Sequence, residues 1–132
     1  MREILFRGKR TDNGEWVYGN YCYAELLTQN GYEHLIIEVS AVGGSHHVIP
    51  ETIGQYTGLK DKNGNKIFEG DIVKRFWFSK MCIYQINYGK GLASFIGLRG
   101  IGYTTFDYDS DEFEIIGNVY DNPELLKERE QA

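Results

Sequence analysis

Proline and cysteine are both scarce here, with two of each in 132 residues. Cys22 and Cys82 stand far apart and form no Cys-x-x-Cys or Cys/His spacing of the zinc type. Neither a disulfide framework nor a structural metal is therefore expected, and both thiols read as reduced and buried. Long apolar runs are missing as well: nothing approaches the roughly 18 consecutive apolar residues of a membrane helix. The opening Met1-Arg2-Glu3-Ile4-Leu5-Phe6-Arg7 alternates charged with apolar residues and carries no continuous apolar core of a secretion signal. These absences lead to the expectation of a soluble protein with no membrane partner. No Gly-x-Ser-x-Gly elbow, His-Glu-x-x-His pair or other motif with mechanical content occurs. A non-enzyme without cofactors is the expectation that follows.

What the chain does have is charge of one sign and many rings. The formal net charge is −5 and the sequence pI near 5.2, which argues against a general phosphate-backbone binder. A local basic patch can still coexist with an acidic total. Aromatics make up 14%, with Tyr alone counted at 10, a load that suits a small β core with phenols at its rim, or a contact surface. The length is that of one domain, 1–132, with two subregions at 1–50 and 51–132. It is long enough to bury about two-thirds of its unfolded surface without staples.

Turn signals organise the chain. Asn13-Gly14, Asn30-Gly31 and Asn63-Gly64 each sit between alternating or apolar runs, the strongest short-range hairpin signal. The first joins Arg2 to Arg10 with Glu15 to Tyr23, and the second joins Ala24 to Gln29 with Tyr32 to Ser40. The third, read as a two-residue type I′ turn, pairs Ile53 to Leu59 with Lys66 to Phe68. Gly70 is expected to bend or bulge the chain before Ile72 to Phe78 resumes as a strand. Met81 to Tyr88 then returns antiparallel with Cys82, Tyr84 and Ile86 on one face, and Phe113 to Tyr120 forms a last strand expected to be central or well covered. Asn122, Pro123 and Glu124 read as the cap and first turn of a short C-terminal helix. The predicted class is mostly β: antiparallel hairpins forming a small barrel or sandwich with an SH3-like portion and that one helix.

Three stretches invite chemistry and fall short of it. His46-His47 suggests a metal, but neighbours on an extended backbone point to opposite faces and no third ligand is in view. The glycine-rich Gly89 to Gly102 lacks the Gly-Lys-Ser/Thr ending of a phosphate loop, so a glycine-bent strand or surface loop is expected. The acidic run Asp107, Asp109, Asp111 has the alternation of a calcium loop. Counting from Asp107, the sixth and twelfth positions fall on Glu112 and Asn118 rather than Gly and Glu. Glu69 and Asp71, two apart, read as a solvated rim around the Gly70 bend.

The segment Gln55-Tyr56-Thr57-Gly58-Leu59-Lys60-Asp61-Lys62-Asn63-Gly64, followed by Ile67-Phe68-Glu69-Gly70-Asp71-Ile72-Val73, resembles the central signature of the YopX family of phage and prophage proteins. The opening Met1 to Arg7 and the closing Phe113 to Leu126 extend the resemblance, in family order, over essentially the whole chain. It implies a phage or prophage origin, a cytoplasmic location in a bacterial host and a β-rich fold. It carries over no catalytic residue.

Two functional readings follow. In the first, the chain is a protein-interaction or assembly module, a homo-oligomer or a binder of a host or phage protein. Its contact surface would include Tyr56, Trp77 and Phe78, since such rings dominate interface energetics. In the second, Lys74, Arg75 and Lys80 beside Phe76 to Phe78 make a single-stranded nucleic-acid site, cations meeting phosphates while rings stack on bases.

Overall fold

In a computed structural model, residues 3–26, 31–38, 43–77, 79–89, 94–99, 102–105 and 112–126 are described, with the side chains of Leu26, Gly31, Tyr32, Trp77, Gly89, 94–99 and 102–105 left aside. The chain divides into two compact units, Met1–Tyr56 and Thr57–Ala132. Antiparallel strands dominate both, as the density of Val, Ile, Thr and Tyr requires.

The first unit contains β1 (Phe6–Lys9), β2 (Trp16–Leu26), β3 (Gly31–Ile37), β4 (Ser45–His47), a 3-10 turn (Pro50–Thr52) and the start of β5 (Gly54–Lys60), which ends in the second unit. Strand order is β4-β3-β2-β1-β5. The two Asn-Gly signals of this half fall between β1 and β2 and between β2 and β3, which pair from Phe6↔Gly19 to Lys9↔Trp16 and from Asn20↔Ile37 to Leu26↔Gly31. Val17, Ile36 and Val48 form its buried core, with Phe6, Tyr21 and Ile53 packed against them. Gly19 is required by close approach, because a Cβ there would sit 2.0 Å from the Ile37 carbonyl oxygen.

The second unit continues β5 against β6 (Lys66–Phe68) and adds a five-stranded sheet ordered β10-β9-β8-β7-β11. Its strands are β7 (Asp71–Trp77), β8 (Lys80–Gly89), β9 (Ser94–Arg99), β10 (Gly102–Thr105) and β11 (Glu114–Asn118). The expected antiparallel return of β8 along β7 is present from Ile72↔Gln85 to Trp77↔Lys80. Ile67, Val73, Cys82, Tyr84, Ile86 and Phe113 make the core. Each fully buried aliphatic or phenyl side chain contributes about 1.5–3 kcal/mol over leaving it exposed.

Several expectations need correction. Among the described residues the two sheets run in the strand orders given above. In the first unit the far end of β4 meets β1 through a single isolated bridge, Arg10↔Val48, flanked by Thr11 N–H to His47 O (2.9 Å) and Ile49 N–H to Lys9 O (2.8 Å). The Asn63-Gly64 turn is not type I′: only Gly64 has positive φ, +84°, while Gly64 N–H bonds to Asp61 O and Asp61 N–H to Asn65 O. A type I turn followed by a left-handed glycine matches these bonds. Of the two alternatives for the glycine-rich stretch, Ser94–Arg99 takes the strand, as β9, paired with β8 and β10. The last strand lies at the sheet edge instead of its centre, paired with β7 alone and bulged between Ile115 and Gly117.

Helical geometry starts at Leu125 and Leu126, whose N–H groups bond to the Asn122 and Pro123 carbonyls, and the rest of the expected C-terminal helix, from 127 onward, lies outside the described residues. Asn122 turns its side chain back towards β11, accepting the Asn118 N–H at 3.2 Å. No described helix is long and apolar enough to cross a membrane.

Candidate interaction site

The β7–β8 hairpin carries most of the residues singled out from sequence, and its register decides which way each one points. Cross-strand partners share a face. Val73 with Tyr84 and Arg75 with Cys82 face the core, whereas Lys74 with Ile83 and Phe76 with Met81 face the other way. Ser79, at φ +64°, is the turn residue that lets the hairpin close after Trp77.

Arg75 is therefore an interior residue. It is 6% exposed, with its guanidinium carbon 4.9 Å from the centre of the Phe113 ring and 5.4 Å from that of Tyr84. Nη2 lies 3.5 Å from the Tyr84 hydroxyl and Nη1 3.9 Å from Glu112 Oε2. A buried charge packed against two perpendicular rings, with a carboxylate beside it, is a structural element, one that cannot reach a phosphate. Lys74 is half-buried, 3.6 Å from Glu114 Oε1, and Glu114 Oε2 lies 3.6 Å from Lys62. Tyr56 also departs from the expected contact surface: it is 4% exposed in β5, where its N–H bonds to the Leu5 carbonyl. Trp77 contributes its backbone to the ladder with Lys80, while its side chain and all of Phe78 lie outside the described residues.

What the hairpin does present is Phe76, 69% exposed, opposite Met81, 46% exposed. These two were not singled out as a pair. Their signal was the β7–β8 register, since alternation alone leaves open which face of a strand is covered.

Asp71 is buried and accepts the Phe68 N–H at 2.7 Å, so it fixes the turn at Gly70 (φ +94°) rather than forming a solvated rim with Glu69. His46 and His47 lie on β4 with side chains on opposite faces. His46 Nε2 is 3.4 Å from Glu38 and His47 Nδ1 3.8 Å from Glu33. A cleft of about 180 Å³ opens beside them, lined by Arg10, Thr11, Asp12, Ser45 and the two histidines. Arg10 is spent on Asp12, with Nε and Nη2 donating to its carboxylate at 2.9 and 2.7 Å; this fork holds the carboxyl below and the guanidinium above their ordinary values. Among the described residues no three His, Cys, Asp or Glu side chains converge on a metal position. The Asp107 to Asp111 run lies outside the description. Cys22 and Cys82 are free thiols, half-buried and buried respectively.

The family model for the YopX protein matches residues 5–127. The chain belongs to the YopX family. Among solved structures, the YopX chain is similar to the crystal structure of protein EF1440 from Enterococcus faecalis, at 24% identity over 96% of this chain and 99% of that one. The TM-score of 0.55 establishes a shared fold and nothing about activity. No curated protein matches the YopX chain.

Proposed function

We propose that this YopX-family protein is a phage- or prophage-encoded, non-enzymatic assembly module of the host cytoplasm that self-associates through the β7–β8 hairpin. One observation carries the reading: Phe76 and Met81 form an exposed apolar cross-strand pair on a hairpin whose opposite face is packed core. A phenyl and a thioether side by side offer a large, adaptable contact area, the kind that anchors protein interfaces. Leaving such a pair in water forgoes apolar burial that a second copy would recover. Two of the hairpin's three cations work within the protein, Arg75 against two rings and Lys74 on Glu114, leaving Lys80 exposed at the hairpin end, which favours a protein partner over a phosphate backbone there.

The test is light scattering after size exclusion, at low and high salt, with and without a mixed single-stranded oligonucleotide. Self-association predicts a mass above the monomer that salt leaves unchanged. A monomer at every concentration and salt would end the reading and direct the search to a host or phage protein captured by the same hairpin.

A further inference from the structure

We infer that the self-association surface is sensitive to peroxide and that Met81 is its switch: oxidation of the thioether to the sulfoxide releases a protomer from the assembly. The inference rests on the assembly reading and adds a modification site to it. Methionine occurs twice in the chain, at Met1 and Met81. Met81 is 46% exposed and stands opposite Phe76, 69% exposed, in the β7–β8 ladder. The next residue, Cys82, turns to the other face of the strand and lies in the core, its Sγ 3.9 Å from the Lys80 carbonyl oxygen, while Cys22 is half-buried. Among the described residues, the sulfur-bearing side chain most open to a dissolved oxidant is therefore the one in the contact pair itself.

The chemistry needs one reactant besides the protein, a peroxide. A sulfur lone pair attacks one oxygen of hydrogen peroxide, and the O–O bond breaks as the S–O bond forms. The proton on the transferred oxygen passes to the departing hydroxide, which leaves as water; sulfur is oxidised by two electrons and peroxide reduced by two. The product replaces a polarizable, apolar thioether with a polar sulfoxide, a change that disrupts apolar contacts. On a free hairpin the new oxygen stays in water. In the contact it would lie against phenyl rings and lose that water, which weakens an apolar association by about tenfold or more. The fold is not at stake, because Val73, Cys82 and Tyr84 build the core from the opposite face. Association covers Met81, so peroxide acts on the dissociated protomer, and mass action shields the switch at high chain concentration and opens it on dilution.

The test treats the full chain with hydrogen peroxide and follows two readouts together. Peptide mass spectrometry gives the fraction of Met81 carrying one added oxygen, and light scattering after size exclusion gives the mass of the assembly. The expected result is a multimer that falls to the monomer mass in step with oxidation of Met81, with unchanged far-ultraviolet circular dichroism. Dithiothreitol alone should leave it monomeric, while methionine sulfoxide reductases of both stereospecificities should restore the multimer. Met81 should also oxidise more slowly in concentrated than in dilute protein. A chain fully oxidised at Met81 that keeps the untreated mass would overturn the inference and leave the assembly reading standing. Recovery with dithiothreitol alone would overturn it in favour of a cysteine, and loss of the circular dichroism signal would overturn it in favour of unfolding. An untreated chain that is already monomeric would remove both the inference and the reading beneath it.

Discussion

Asp61 and Ile115, 54 residues apart in sequence, are joined by one hydrogen bond: the Ile115 N–H donates to Asp61 Oδ2 at 3.0 Å. The other carboxylate oxygen accepts the N–H groups of Asn63 and Asn65, both at 2.9 Å, so a single side chain ties the central turn to the last strand. Replacing it by Ala strands three backbone donors. D61A is expected to cost about 3 kcal/mol, read from the midpoint of urea unfolding followed by Tyr fluorescence.

The same carboxylate gives the fold a dependence on acid. Burial pushes its pKa up, and the N–H groups of Ile115, Asn65 and Asn63, together with the Asn65 side chain, more than offset that and hold it below the ordinary value. The folded state therefore prefers the ionised form. Its contribution is fully present above the unfolded value of about 3.9 and is lost as pH falls through the lower folded value. D61N should flatten this part of the acid limb of the stability curve while leaving the neutral plateau sloped as before. An unchanged acid limb in D61N would contradict the assignment.

Arg75 is expected to behave as a core residue. R75A should destabilise by about 2–3 kcal/mol, through the lost packing on two rings and the contact removed from the buried Tyr84 hydroxyl. R75K should recover little of that, because an ammonium has no planar face to lay against a ring as a guanidinium does. Denaturant titrations of the two variants check this, and near-wild-type stability of R75K would oppose it.

Two glycines separate a steric demand from a conformational one. Gly14 has φ +73° with no atom near an added Cβ, so G14A is expected to cost about 1 kcal/mol. At Gly19 the added carbon would meet the Ile37 carbonyl at 2.0 Å, and the strand pair must separate to admit it. G19A should therefore cost about 3 kcal/mol or more, or leave the first unit unfolded by amide exchange.

How far the sequence reaches is set by where the information sits. Hairpins were legible because Asn-Gly turns and alternation are local: β1–β2 and β2–β3 followed from the turns, and β7–β8 from the alternation on either side of Ser79-Lys80. The facing of Arg75 was not legible: period two says that Arg75 opposes Lys74, and only packing against Phe113, 38 positions on, decides which of them goes inside. Asp61 was likewise unreadable as a hub, since its third donor arrives from β11. The edge position of β11 depends on sheet order, which alternation does not encode. In the proposed contact surface, Phe76 and Met81 emerged as a pair only from the β7–β8 register, while burial took Tyr56 and Arg75 out of it.

The central claim is that the Phe76–Met81 pair holds copies of this chain together. It is tested most directly by light scattering after size exclusion on the wild type and the F76S/M81S double variant, side by side. Both side chains are largely exposed, so the double variant should unfold within about 1 kcal/mol of wild type, which thermal melts verify. The account predicts a salt-insensitive multimer for the wild type and a folded monomer for the variant. A variant that keeps the wild-type mass, or a wild type that is monomeric throughout, would contradict it.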